Sequence, residues 1–235
     1  MTKLTRSVFL AAATTFLSLS PMQAQAQGRD AKYEVTITNL TRGQRFTPFL
    51  LVTHRPDVRL FRLGQRAGME LRALAEEGDL MPFMNLLRTT QGVGSVVATP
   101  APPPLDRLLE PGKTVKVMID APGGARYLSL AAMLIPTNDA FLALDTVRLP
   151  RGTEEAMHYA MAYDAGTERN DESCASIPGP AYPECGGRDG GGARAEGGEG
   201  FVYIHSGIHG VGNFAPAMRG WLNPVALVHV VRIDH

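Results

Sequence analysis

Cysteine is scarce in this sequence, which limits the kinds of site that cysteine can form. Only two of the 235 residues are cysteine, Cys174 and Cys185, and only one is tryptophan. The two cysteines stand eleven positions apart across a loop rich in proline and glycine, which predicts one disulfide in an oxidising compartment. The alternative, thiolate ligation of a metal, would want at least a CxxC pair or histidines at ligand spacing.

An excess of charge and long apolar runs are also missing. The chain has 23 basic and 23 acidic residues, a formal net charge of zero, and no basic run that could follow a phosphate backbone. We therefore expect no nucleic-acid partner. After the N-terminal segment no stretch approaches the roughly 20 apolar residues of a spanning helix, so we also expect no membrane span.

The first 26 residues have the pattern of a secretory signal peptide. Lys3 and Arg6 precede the apolar run VFLAAATTFLSL, and Ala24-Gln25-Ala26 is a small-x-small cleavage site. We expect residues 1–26 to be removed and residues 27–235 to form one exported domain, secreted or periplasmic. That length is enough for a single domain with its own core.

Alternating apolar and polar residues predict an all-β fold. The alternation recurs in KYEVTIT, TVKVMI, EAMHYAMAYD and PVALVHVVRID, and continuous apolar runs such as RYLSLAAMLI are typical of strands buried on both faces. With the remaining apolar runs the count reaches about eight strands, which favours an antiparallel β-sandwich. In EAMHYAMAYD the apolar face is Met157, Tyr159 and Met161, and in the last segment it includes Leu227 and Val231.

Two intervals interrupt the strand pattern. Residues 67–87 have apolar positions at helical spacing and predict one or two short helices, with Gly78 ending the first helix and Asp79 capping the second. Residues 186–200 contain eight glycines. So little side chain is available for burial there that we expect a mobile loop between two strands.

The segment YDAGTERNDE, residues 163–172, concentrates acid in a neutral chain. It contains Asp164, Glu168, Asp171 and Glu172, and Gly166 allows the sharp turn that would bring Asp164 and Glu168 together. Carboxylates and loop carbonyls are the ligands of Ca²⁺, which takes six to eight oxygens. The EF-hand pattern is absent, so a solvated loop is the alternative.

These segments also carry a resemblance to a known family. MLIPTNDAFLALD (133–145) and YDAGTERNDE, after YEVTITNL and before NPVALVHVVRI, resemble the spondin N-terminal domain family over roughly residues 31–233. The resemblance implies a C2-like antiparallel β-sandwich of secreted, calcium-binding adhesion proteins, with calcium carboxylates at Asp139, Asp164 and Glu168. Glu168 replaces the family's aspartate and Ala140 replaces its tryptophan. Asp171 and Glu172 lie beyond the motif, where we expect a solvated surface or outer charge.

We therefore expect a calcium-binding module rather than an enzyme. Its partner would be an extracellular or envelope protein or a polysaccharide, and an oligomer is possible. The rival interpretations are a structural subunit of a surface assembly and an exported metal-dependent hydrolase that uses His205 and His209. Those histidines have the spacing of zinc ligands on a helix, but Gly207 and Gly210 interrupt the segment and the glutamate of the metalloprotease motif is missing. A GxSxG motif is also absent.

Overall fold

The computed structural model describes residues 30–99 and 108–233. The predicted signal peptide, residues 1–26, lies outside the described residues. The strands, in chain order, are β1 (Ala31–Asn39), β2 (Arg45–Phe46), β3 (Leu50–His54), β4 (Val93–Ala98), β5 (Thr114–Ala121), β6 (Tyr127–Ile135), β7 (Ala140–Arg148), β8 (Glu155–Asp164), β9 (Pro178–Tyr182), β10 (Arg188–Gly191), β11 (Tyr203–Ile204) and β12 (Ala226–Arg232). The helices are α1 (Met69–Glu77), α2 (Met81–Thr89), α3 (Pro216–Arg219) and a 3-10 turn at Pro183–Cys185.

Most of the strands belong to one antiparallel sheet that is nearly closed. Its order is β4-β3-β6-β7-β8-β12-β1-β5, with β2 paired to β6 and β11 paired to β8. The sheet curls until β5 contacts β3 and β4, and the Thr53 hydroxyl donates to the Asp120 carbonyl at 2.8 Å across this closure. The predicted all-β antiparallel sandwich of about eight strands is confirmed.

Two apolar cores lie on the two faces of the curled sheet. The larger core fills the interior, where alternate residues of β1 such as Val35 and Ile37 are fully buried. The smaller core lies between the helices and the outer face of β3, β6 and β7, where Leu71 and Phe83 join the cluster that includes Leu50 and Phe141. Complete burial of each such side chain contributes about 1.5–3 kcal/mol. The continuous apolar runs are therefore buried on both faces, because one face packs in the larger core and the other packs in the smaller core.

The helical interval forms as predicted, with a shift of one residue at its second cap. Gly78 ends α1 in the left-handed conformation, and its N–H donates to the Leu74 carbonyl at 3.0 Å. The N-terminal cap position of α2 is Leu80, while the Asp79 carboxylate accepts from the Met81 N–H at 2.9 Å. No helix within the described ranges is long and apolar enough to cross a membrane.

In β8 and β12 the face that carries the large apolar side chains points away from the core. Met157 and Tyr159 are 66% and 63% exposed, whereas Ala160 and Ala162 on the other face of β8 are buried. In β12 the buried residues are Ala226, Val228 and Val230, so Leu227 and Val231 also face outward. Small alanines suit the crowded interior of the curled sheet, which explains why the larger side chains lie outside.

The disulfide and the glycine-rich segment lie next to each other. Cys174 and Cys185 are joined, with their Cα atoms 5.6 Å apart, which confirms the predicted pairing. The segment 186–200 contains β10, which pairs with β9, and the Gly191 N–H donates to the Cys174 carbonyl at 2.8 Å. Its order here comes from backbone hydrogen bonds rather than from side-chain burial. Its mobility stays a prediction.

A buried polar network fixes an irregularity between β6 and β7. The register of this pair shifts between Leu128 and Leu130. At the shift, the Ser129 hydroxyl accepts from the Thr146 N–H at 2.7 Å and lies 2.8 Å from His54 Nε2. His54 Nδ1 donates to the Arg55 carbonyl oxygen at 2.6 Å. The Nε2 atom of the neutral ring therefore accepts a hydrogen bond from the Ser129 hydroxyl. Burial lowers the pKa of His54, which favours this neutral form.

Candidate metal centre

The register of β7 and β8 brings two of the predicted ligands together. Ala140, at the start of β7, pairs with Asp164, at the end of β8, so Asp139 lies beside Asp164. The Ala165 N–H donates to the Asp139 carbonyl at 3.1 Å and ties the two loops. Both aspartates have 0% exposure. The sequence predicted this neighbourhood only through the family resemblance, because the two residues belong to different loops.

The Asp139 carboxylate is only half satisfied by hydrogen bonds. Its Oδ2 atom accepts from the Thr167 N–H at 2.7 Å, the Thr167 hydroxyl at 3.1 Å and the Glu168 N–H at 3.0 Å. Its Oδ1 atom is buried and has no hydrogen-bond partner. A buried oxygen left without a partner costs about 1–3 kcal/mol, and more when it is charged. This oxygen is therefore a natural ligand position for a cation.

Asp164 is held by its own turn and by neighbouring side chains. Its Oδ1 accepts from the Gly166 N–H at 2.7 Å, and its Oδ2 accepts from Asn170 Nδ2 at 2.6 Å and from the Tyr203 hydroxyl at 2.9 Å. Gly166 has a φ of 67°, and a Cβ there would lie 2.2 Å from the Phe201 carbonyl oxygen. Glycine is required at this turn by both its conformation and its contact.

The electrostatics of the pair favour a bound cation. Burial, followed by the negative charge of Asp164, raises the pKa of Asp139 from 3.8 to about 7. Burial also raises the pKa of Asp164, although its hydrogen bonds from Asn170, Gly166 and Tyr203 act in the opposite direction. Two neighbouring carboxylates in a buried site cannot both ionise cheaply. A divalent cation would compensate both charges at once.

Glu168 is buried beside the pair, but its carboxylate has other neighbours. Its Oε1 accepts from the Ala195 N–H at 3.2 Å, in the glycine-rich segment. Burial, followed by the charge of Glu76, raises the pKa of Glu168 to about 7. Within residues 30–99 and 108–233, no three His, Cys, Asp or Glu side chains are grouped as metal ligands. Ligation of one ion by Asp139, Asp164 and Glu168 together therefore stays a prediction. Of the three, Asp139 and Asp164 lie side by side.

Of the two alternatives expected for Asp171 and Glu172, a solvated surface or an outer charge, the solvated surface was wrong for Glu172. Glu172 is 3% exposed, and its carboxylate accepts from the backbone N–H groups of residues 209, 210 and 211. Asp171 accepts from Asn138 Nδ2 at 3.0 Å and from the Ser176 hydroxyl. These hydrogen bonds lower the pKa of Asp171, although burial opposes them. Both acids hold loops in place, and no sequence signal gives these partners, since residues 209–211 are distant in the chain.

The two histidines of the rival interpretation contact different groups. The Gly207 N–H donates to His205 Nδ1 at 3.0 Å, and His205 Nε2 lies 3.6 Å from Asp164 Oδ2, too far for a hydrogen bond. Burial lowers the pKa of His205 to about 4. His209 Nε2 lies 2.7 Å from the Ser206 hydroxyl. His205 therefore borders the aspartate pair, while the His209 ring bonds to an exposed serine.

The described residues thus form an antiparallel β-sandwich with two buried, adjacent acidic loops at one end. The sequence model of the Spondin_N family matches residues 33–179, which is more than half of the chain. The chain belongs to the spondin N-terminal domain family. The match includes Asp139, Asp164 and Glu168 but ends before Cys185 and the two histidines, so it is shorter than the resemblance expected from the sequence.

Family membership supports an extracellular or adhesion-type module at most, and the family is not an enzyme family. The disulfide is also typical of extracellular proteins. No curated protein sequence matches the chain at a significant level.

Proposed function

We propose that this protein is an exported calcium-binding β-sandwich module that attaches to an extracellular or envelope protein or to a polysaccharide. The observation that supports it best is the Asp139 carboxylate, whose Oδ1 atom is buried without a partner beside the buried Asp164. A hard cation with oxygen ligands is the chemistry that such an atom fits. Fold alone does not name a partner, so the partner class comes only from the family.

Asp139 and Asp164 would hold the ion, and Glu168 is the third proposed ligand. Calcium would supply the positive charge that lets both buried aspartates ionise. The protein's own groups position the ligands: the N–H groups of Thr167 and Glu168 hold Asp139, and the Gly166 N–H holds Asp164. The ion would then join the loop before β7 to the loop after β8.

The expected affinity matches an exported protein. Extracellular calcium modules bind at about 10⁻⁴–10⁻³ M, which is sufficient where calcium is abundant. At a free calcium concentration one hundred times the dissociation constant, binding stabilises the folded state by about 2.7 kcal/mol. For a domain of 150–250 residues, this corresponds to an increase of about 5–11 °C in Tm.

The test compares thermal unfolding in 10 mM CaCl₂ and in EDTA, for the wild type and for Asp164→Asn. Asp120→Asn is the control, because Asp120 is exposed on β5, far from the acidic loops. We expect calcium to raise the Tm of the wild type and of the control but not of Asp164→Asn. A wild-type Tm that is the same in calcium and EDTA would refute the proposal. Stoichiometric zinc in the purified protein, lost in His205→Ala, would instead support the hydrolase.

A further inference from the structure

A second site lies at the end of the sheet opposite the acidic loops. A cavity of about 510 Å³ opens where β7 and β12 end and β1 begins. Tyr33 and Leu149 are among its buried lining residues. Along β7 the distance from Asp139 to Arg148 is about 30 Å, at about 3.3 Å per residue. The cavity is therefore independent of the proposed calcium site.

The cavity is strongly basic although the chain is neutral. Four arginines line it: Arg126, Arg148, Arg151 and Arg232. No Asp or Glu is among the described residues that line the cavity, although the Glu154 carboxylate accepts from the Arg151 N–H at 3.4 Å. Across the described parts of the chain, the guanidinium groups of Arg126, Arg148 and Arg151 form no ion pair. The guanidinium groups of Arg126, Arg148 and Arg151 repel one another, and an anionic ligand would reduce that repulsion.

The backbone that carries these arginines is fixed. The Leu149 N–H donates to the Arg126 carbonyl at 3.0 Å, so the loops before β6 and after β7 are joined. The Tyr33 hydroxyl donates to the Pro150 carbonyl at 3.0 Å and fixes the second loop to β1. The site is therefore held by three elements of the sheet and does not depend on a single flexible loop.

One arginine is also oriented by a side chain. The Arg148 guanidinium lies 5.4 Å from the centre of the Tyr127 ring and donates to the Tyr127 hydroxyl at 3.1 Å. A guanidinium group has five N–H donors, so this contact leaves most of them available. Its planar fork matches the oxygens of a phosphate group, with which it forms paired hydrogen bonds.

We propose that this cavity binds a phosphate group, either as free phosphate or as an ester on a sugar-sized molecule. A phosphate monoester carries up to two negative charges and three acceptor oxygens, which several guanidinium groups can share. The volume lies within the range of pockets that bind small molecules. This site takes an anion at the basic end of the sheet and does not depend on the proposed calcium function.

Isothermal titration calorimetry of the intact protein tests the proposal. The titrants are inorganic phosphate, glucose 6-phosphate and glucose, in a low-salt buffer at pH 7.5 that contains EDTA so that calcium plays no part. Binding of glucose 6-phosphate at least tenfold tighter than inorganic phosphate supports the site and assigns it to an ester. Equal affinities support the site and assign it to free phosphate. No binding of either phosphate overturns the proposal, and so does equal binding of glucose.

Variants locate the site. Arg148→Gln is expected to weaken binding of the better phosphate titrant by about tenfold, because charge-assisted hydrogen bonds are lost, and Arg126→Gln is expected to weaken it in the same direction. The matched control is Arg88→Gln, since Arg88 is exposed on α2 at a distance from the cavity. An unchanged Tm of each variant shows that the fold is intact. The proposal is wrong if Arg148→Gln has no effect or if Arg88→Gln weakens binding equally.

Discussion

Replacing Asp139 by asparagine should make the calcium-free protein more stable while it abolishes the response to calcium. The asparagine side chain has nearly the same shape as aspartate. Its carbonyl oxygen can accept the three hydrogen bonds that now reach Oδ2, and its amide group would occupy the position of Oδ1, which has no partner. The substitution therefore removes a buried charge without removing a hydrogen bond, and its cost is a buried amide N–H group without an acceptor.

The size of the effect follows from the pKa of Asp139. Burial and the neighbouring Asp164 raise that pKa from 3.8 to about 7. A carboxyl group whose pKa is raised on folding stabilises the fold while it is protonated. Without calcium, its contribution is complete below about pH 4 and is lost as the pH rises through 7. Three pH units correspond to up to about 4 kcal/mol. The unpartnered amide offsets about 1–3 kcal/mol of this, so at pH 8 the variant should gain about 1–3 kcal/mol, or about 2–12 °C in Tm.

Thermal unfolding in EDTA at pH 5 and pH 8, and in 10 mM calcium at pH 8, measures these quantities. In EDTA the wild type should lose stability between the two pH values, and Asp139→Asn should lose less. Calcium should raise the Tm of the wild type by about 5–11 °C and that of the variant hardly at all. The reasoning is refuted if Asp139→Asn is less stable than the wild type in EDTA at pH 8. Such a result would mean that the carboxylate is stabilised in the fold without a cation.

Three further changes test other parts of the structure. Gly198→Ala should lower Tm by more than Gly200→Ala, because a Cβ at 198 would lie 2.6 Å from the Gly166 carbonyl oxygen, whereas at 200 it would meet nothing within 4 Å and would strain only the left-handed backbone at φ 84°; a loss at 198 no larger than that at 200 would contradict this contact. Ser129→Ala should lower the free energy of unfolding by about 1–3 kcal/mol, because the partly buried Thr146 N–H and the buried His54 Nε2 lose their partner, and a neutral result in urea denaturation would show that the network is dispensable. Reduction of the Cys174–Cys185 disulfide should cost about 2–4 kcal/mol and weaken calcium binding; an unchanged calcium affinity in calorimetry would separate the disulfide from the acidic loops.

The strands were predictable because local alternation determines them. Which face of each strand points to the core was not predictable. EAMHYAMAYD coincides with β8, yet its large apolar residues Met157 and Tyr159 are outside and its alanines are inside. Both faces of this strand are nearly apolar, so alternation alone cannot choose between them. The choice depends on the space inside the curled sheet, which is set by partners distant in the chain.

The candidate site divides in the same way. The turn at Gly166 and the acids on either side of it could be located from YDAGTE, since a local motif determines them. The position of the Glu168 carboxylate could not, because its hydrogen bond reaches Ala195 in the glycine-rich segment. The burial of Glu172, expected to be a surface acid or an outer charge, was missed for the same reason, since its partners lie about 37 residues further along the chain. Long-range contacts of buried acids leave no pattern in a single sequence.

The pairing of β1 with both β5 and β12 has a consequence for the order of folding. The first strand lies between the fifth and the twelfth, with Tyr33 opposite Arg232. One edge of β1 therefore has no partner until β12 has been synthesised, so the sheet cannot be completed on a growing chain. Contacts this distant in sequence are formed slowly. Such a delay would suit the proposed export, in which the chain passes unfolded through a translocation channel and folds on the far side.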